Sequence, residues 1–344
     1  MKEGVTLYVD VALDSIITYA ITVGASDIHF DPILNGIQVR LRIDGLLTEY
    51  MLVDATDADM LVNRIKVFSG MDISEKRLPQ DGRWEWSVKS YAVTMRVSSL
   101  PSLYGEAIVC RLMGNEGVHK NLLELGMDVE LQEKIAALLK RPYGLITICG
   151  PTGSGKTATL YAMLRMLNLK ETKLICLEDP VEATIEGAIQ IGINEKIGFT
   201  FSKGLRTVLR QDPDSIMIGE IRDNETAQLA VKAALTGHRV ITTVHTNTAL
   251  GVIGRLVDMG VEPYLLHATL IGSLSQRLVR RIDSTTHSYQ GRLGLFEYLE
   301  IPFSDIDWDH VEQYMFTSLQ DSAHLAINSG ITTLEEVHRV GILL

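Results

Sequence analysis

The chain has 344 residues, 46% of them hydrophobic and 22% charged, with a formal net charge of −11. That length can bury two cores more readily than one, and the acidic balance argues against a broad nucleic-acid surface, which needs clustered Lys and Arg. Cys110, Cys149 and Cys176 are odd in number, form no CxxC pair and sit in apolar runs; they support neither a disulfide framework nor a structural zinc site, and fit a reducing, cytosolic setting.

The apolar run at 15–24 follows Asp10 and Asp14 rather than a basic segment, so it does not read as an export signal. No window supplies the roughly 18 apolar residues that a membrane span needs. Work at a membrane would have to go through a partner.

In chain order, Val11, Ile16, Tyr19, Ala20 and Val23 give helical spacing over 10–24, closed by Gly24. Short alternating strands follow at 27–30 and 37–43, where Ile37, Val39, Leu41 and Ile43 share a face. Asp44-Gly45 signals a hairpin turn. A helix is expected at 57–69 and strands at 83–89, 91–98 and 106–112, which makes residues 1–112 an α+β domain. Residues 113–126 lose periodicity and read as an interdomain linker. After a helix at 128–140, apolar strands at 144–149, 173–177, 215–219 and 239–244 alternate with helices at 156–168, 202–210 and 224–236. Buried strands alternating with helices imply an α/β domain over 127–344, built on a mostly parallel sheet. The last hundred residues read as helical apart from a hairpin near 277–297.

The chemistry starts at GPTGSGKT, residues 150–157. It matches G-x-x-x-x-G-K-[ST] between an apolar strand and a helix, the context in which that pattern marks a phosphate site. Gly150, Gly153 and Gly155 let successive backbone N–H groups turn inward around Pro151, Thr152 and Ser154, and the helix start at Lys156, Thr157 and Ala158 adds positive potential. Lys156 would reach the β- and γ-phosphates of ATP, and Thr157 would offer its hydroxyl to Mg²⁺. Two apolar strands end in acids: Glu220 closes one and can coordinate Mg²⁺, and Glu178, Asp179 and Glu182 follow the other. Open α/β sheets bind ligands at these carboxyl ends, and hydrolysis needs a carboxylate for the attacking water. His238 and His245 bracket the strand 239–244 and read as sensors of the γ-phosphate.

Together these segments identify a family. ASDIHF (25–30), RLPQDGR (77–83), GPTGSGKT, LEDPVE (177–182), LRQDPDSIMIGEIRDNETA (209–227), TGHRVITTVHTNTA (236–249) and GRLGLFEYL (291–299) resemble, in order, the secretion-superfamily ATPases of type II secretion, type IV pili and competence pseudopili. The resemblance implies a RecA-like P-loop core behind a smaller PAS-like N-terminal domain. It implies that Glu182 is the catalytic base, Glu220 the Walker B acid, and His238 and His245 the His box. Arg83, Arg96 and Arg111 match arginines that reach toward nucleotide phosphates, and Arg206 and Arg210 are weaker candidates for a subunit-interface role.

Family members are hexameric rings on the cytoplasmic side of the inner membrane. They act on an integral membrane platform protein, so direct nucleic-acid contact is not expected. Larger members carry an extra N-terminal domain and a four-cysteine zinc segment. This chain begins almost at ASDIHF and has no cysteine in 279–291, so no zinc is expected, and the resemblance is greatest to the competence-type ATPase of DNA uptake. A retraction motor, a RecA-like nucleic-acid motor and a nucleotide-gated scaffold without turnover remain the alternatives.

Overall fold

The computed structural model describes residues 2–88, 91–113, 117–302, 304 and 306–344, with side chains from residue 9 onward. The chain forms two compact units, Met1–Glu116 and Gly117–Leu344.

The first unit contains α1 (Lys2–Thr22), β1 (Ala25–Ile33), β2 (Gly36–Ile43), β3 (Leu46–Asp54), α2 (Ala55–Phe68), β4 (Gln80–Val88), β5 (Tyr91–Ser102) and β6 (Gly105–Met113). Its six strands form one antiparallel sheet in the order β3-β2-β1-β6-β5-β4. Alternation puts Ile28, Phe30, Val39, Leu41, Met95, Val97, Ile108 and Cys110 on the face that α1 and α2 cover with Leu13, Ile16, Ile17, Leu61 and Ile65. Helix α1 begins earlier than the spacing predicts, at Lys2. Lys66 is wholly buried beneath this layer; its Nζ donates to Glu106 Oε1 and to the Glu75 carbonyl, both at 2.7 Å.

The second unit contains α3 (Val129–Leu139), β7 (Gly144–Cys149), α4 (Lys156–Arg165), β8 (Leu174–Glu178), β9 (Ile189–Gly192), α5 (Phe201–Val208), β10 (Ser215–Ile218), α6 (Asn224–Leu235), β11 (Arg239–Val244), α7 (Gly251–Asp258), α8 (Pro263–Thr269), β12 (Leu270–Ile282), β13 (Tyr289–Glu300), β14 (Met315–Thr317), α9 (Leu319–Asn328) and α10 (Leu334–Arg339). The sheet order is β14-β13-β12-β7-β11-β10-β8-β9, parallel from β12 through β9. Every residue of β7, β8, β10 and β11 is buried, as parallel strands covered on both faces must be. Leu145 and Cys149 face a core with α5 to α8, and Ile146 and Ile148 face one with α3 and α4.

Two expectations change. Residues 118–126 are not a free linker: Val118, Leu122 and Leu125 are buried in the core that contains α3 and α4, and Leu125 O accepts from Gly294 N at 2.8 Å. Their helical spacing is hidden in sequence by the surrounding Gly, Asn and Lys. Residues 114–116 lie outside the described residues. The late hairpin is also longer than 277–297, because β12 starts at Leu270 and pairs in parallel with β7, carrying the hairpin into the main sheet. Beyond it, α9 and α10 bury Leu319, Ala323 and Val337 against Val279 and Leu295.

Candidate functional site

The loop after β7 has the conformation that its glycines permit. Gly150, Gly153 and Gly155 have φ values of 144°, 77° and 88°, a region that only glycine enters freely. Gly155 caps α4 at its N-terminus. Lys156 lies across the loop, its Nζ donating to the carbonyls of Gly150 (2.8 Å) and Pro151 (2.9 Å), and burial lowers its pKa. Thr152 and Thr157 are exposed, whereas Ala158 is half-buried against the core.

Strand β12 matters here because its parallel pairing with β7 brings Gln276 beside the loop. Gln276 Oε1 accepts from Thr159 Oγ1 at 2.6 Å. Gln276 Nε2 and Ser154 Oγ are buried and without a hydrogen-bond partner among the described residues. Orphaned buried donors beside a glycine-rich helix start fit a phosphate group. The sequence pattern did not single out Gln276, which stands between Ser275 and Arg277 in the mixed segment LSQRLV.

The parallel register aligns the carboxyl ends of β7, β8, β10 and β11 on one edge. Thr157, Tyr161, Glu178, Asp179, Glu182 and Glu220 therefore line one cleft of about 130 Å³. Glu220 Oε1 receives Arg222 Nη2 at 2.5 Å, and its Oε2 lies 3.5 Å from His245 Nε2. Burial, together with the charge of Lys156, lowers the pKa of His245, so its imidazole is neutral near pH 7 and can donate or accept one hydrogen bond. Thr157 and Glu220 offer a hydroxyl and a carboxylate on this cleft, which fits Mg²⁺ held by few protein oxygens together with substrate phosphates and water.

His238 is not brought to this edge. It precedes β11, and its carbonyl accepts from Gly144 N, at the start of β7. Six residues of extended strand separate it from His245, about 20 Å. Its Nδ1 contacts the Ala233 carbonyl at 3.0 Å, a capping role at the end of α6. Parallel strands send their two ends to opposite edges of the sheet, so histidines bracketing one strand cannot both face one phosphate within this unit.

In the first unit, Arg83 pairs with Arg96, Arg96 with Arg111, and Arg111 with Asp27 across β4, β5, β6 and β1. Directly opposed residues share a face, so the three arginines form an exposed cationic row on the face away from α1 and α2. Arg111 Nε is held by Asp27 Oδ1 at 2.8 Å and Arg83 pairs with Glu85 at 3.4 Å. In the second unit, Arg206 pairs with Glu225 at 2.6 Å and Arg210 donates to the Arg206 carbonyl at 2.7 Å.

Comparison with known proteins places this arrangement. A family model described as type II/IV secretion system protein matches residues 6–340. Type II secretion system protein E of Klebsiella pneumoniae is 49% identical over 270 residues, covering 78% of this chain and 54% of that protein. Type II secretion system ATPase E of Vibrio cholerae is 40% identical over 373 residues, covering 95% of this chain and 74% of that protein. The pilus retraction motor PilT, solved with bound ADP, matches with a TM-score of 0.67 at 28% identity, covering 95% of this chain and 96% of that one. The ATPase DotB of Legionella pneumophila matches with a TM-score of 0.76 at 23% identity over 96% of this chain and 95% of that one, a likeness of fold. The chain spans about half the length of several of the curated relatives it matches. A match over nearly every residue, on a sheet whose phosphate loop and acidic strand ends meet at one edge, shows that the chain belongs to the type II/IV secretion system protein family.

Proposed function

We propose that the chain hydrolyses ATP and is the motor subunit of a machine that assembles a type II secretion or type IV pilus-like fibre. The observation that carries this reading is the convergence of the phosphate loop, Glu182 and Glu220 on one cleft. In this reading the loop amides and Lys156 bind the phosphates, and Glu182 orients and deprotonates the attacking water. His245 contacts the γ-phosphate region, Glu220 and Thr157 hold the metal, and Arg83, Arg96 and Arg111 supply positive charge to the phosphates. Mg²⁺, when bound, neutralises charge on the phosphate oxygens. The cleft acids and the phosphate loop speak against a scaffold without turnover.

The relatives named type II secretion system protein E favour fibre assembly in secretion, and the cysteine-free turn within 279–291 favours the competence branch. The 28% identity to PilT favours retraction less strongly than the 49% identity favours the secretion proteins. No helix among the described residues is long and apolar enough to cross a membrane. We propose that the motor works as a ring hexamer at the cytoplasmic face of the membrane, pushing on an integral platform protein without gripping nucleic acid.

The test is steady-state ATP hydrolysis across protein concentration, with Glu182→Gln as control and single-stranded DNA added in parallel. The expected result is specific activity that rises with assembly, is lost in the variant and ignores DNA. Activity that is independent of concentration and stimulated by DNA would refute the reading in favour of a nucleic-acid motor.

A further inference from the structure

Tyr161 lies one turn beyond Thr157 on α4 and is wholly buried. A phenolic hydroxyl has one proton to donate and two lone pairs to accept with, and here all three are engaged. It donates to Glu178 Oε2 and accepts from the backbone N–H groups of Glu182 and Ala183, both at 3.2 Å. The second oxygen of Glu178 accepts from Gln190 Nε2 at 3.0 Å. Gln190 Nε2 also donates to the Ala183 carbonyl at 2.8 Å, and Gln190 Oε1 accepts from Ile185 N at 2.7 Å. The irregular segment between β8 and β9 is thus held at residues 182, 183 and 185 by side chains from α4, β8 and β9. Burial and the adjacent Glu178 raise the Tyr161 pKa, which keeps the hydroxyl a donor.

We propose that Tyr161 is a positioning residue for the loop that carries Glu182, tying that loop to the helix that begins with Lys156 and Thr157. The inference rests on the hydrolase reading above. Lys156, Thr157 and Tyr161 belong to one rigid helix, so a bond from Tyr161 to the Glu182 amide sets loop and phosphate in a common frame. Reaction geometry is sensitive at this level: misplacement by about 1 Å can cost on the order of a hundredfold in rate. A tyrosine serving only the core would need no partner at Glu182, and one serving only the phosphate loop would not reach across to β8.

Tyr161→Phe keeps the ring and removes the hydroxyl. The full chain should then show amide hydrogen exchange at Glu182 and Ala183 accelerated at least about tenfold, with kcat lowered roughly ten- to a hundredfold and KM for ATP within about threefold of the parent. Glu178→Gln retains one acceptor oxygen for Tyr161, so it should shift the same two readouts in the same direction by smaller factors. Unchanged exchange at Glu182 and Ala183, or unchanged kcat, in Tyr161→Phe overturns the proposal. So does a Glu178→Gln variant as inactive as Glu182→Gln while Tyr161→Phe turns over normally, because Glu178 would then be the base. Failure of the hydrolase reading itself appears separately, as a parent protein without turnover or a Glu182→Gln variant that retains it.

Discussion

The three glycines of the phosphate loop should not be equally sensitive to alanine. At Gly153, φ is 77° and an added Cβ meets nothing within 4 Å, so only the left-handed backbone is penalised, by about 1 kcal/mol. At Gly155, φ is 88° and the Cβ would lie 2.8 Å from Gln276 Nε2. Gln276 must swing away and abandon its bond to Thr159, which adds about 1 kcal/mol to the backbone cost. At Gly150, φ is 144° and the Cβ would stand 2.6 Å from the Gln276 carbonyl oxygen. That neighbour is backbone in β12 and cannot rotate aside, so β12 must shift against β7, for a total cost above roughly 4 kcal/mol. Urea unfolding of the full chain, followed through exchange of the β7 and β11 amides so that only the second unit is read, should rank the variants Gly153→Ala, Gly155→Ala, Gly150→Ala in order of increasing loss. If Gly155→Ala proves as mild as Gly153→Ala, the contact with Gln276 does not constrain the loop and the account of β12 as its wall is wrong.

Three further outcomes follow from the two units. Lys66→Met should destabilise the first unit by about 3–5 kcal/mol in thermal unfolding, because it leaves the Glu106 carboxylate buried without its cation; adding Glu106→Gln should recover more than half of that loss. Burial alone would raise the pKa of Glu336, but hydrogen bonds from Arg339 and Arg280 outweigh it and hold the carboxyl at about 2, against an ordinary 4.5. Its stabilisation is therefore complete above pH 4.5 and lost as pH falls toward 2, so the stability gap between the parent and Glu336→Gln, on the order of 2 kcal/mol at pH 7, should close across that window. Arg96→Ala, at the centre of the cationic row, should lower kcat for ATP at least about tenfold while changing stability by less than about 0.5 kcal/mol; a variant with normal turnover would leave the row without a role at the nucleotide.

Much of the second unit was legible in the sequence because its signals are local. A run such as Gly144–Cys149 must be buried on both faces, and three glycines, a lysine and a threonine at fixed spacing between such a strand and a helix mark a phosphate loop. Acids that close apolar strands point to the same edge for the same reason. These features need only the chain's neighbours in sequence to be recognised.

Pairing partners are a different matter, since they depend on which distant segment lies alongside. Nothing near Gln276 states that β12 runs parallel to β7, yet that pairing sets it against Gly150 and Gly155. Arg83, Arg96 and Arg111 are scattered in sequence, and only the register of β4, β5 and β6 makes them one row. Val118, Leu122 and Leu125 were lost among polar residues until a core closed over them. His238 and His245 looked equivalent as brackets of one strand, but strand direction sends them to opposite edges. The sequence by itself determined most of the elements and the backbone of the glycine-rich loop, because hydrophobic period and backbone permissiveness act over a few residues. Tertiary structure alone decided which buried polar groups meet, as at Tyr161 and Glu178, because desolvated donors and acceptors take whatever partner the topology places within reach.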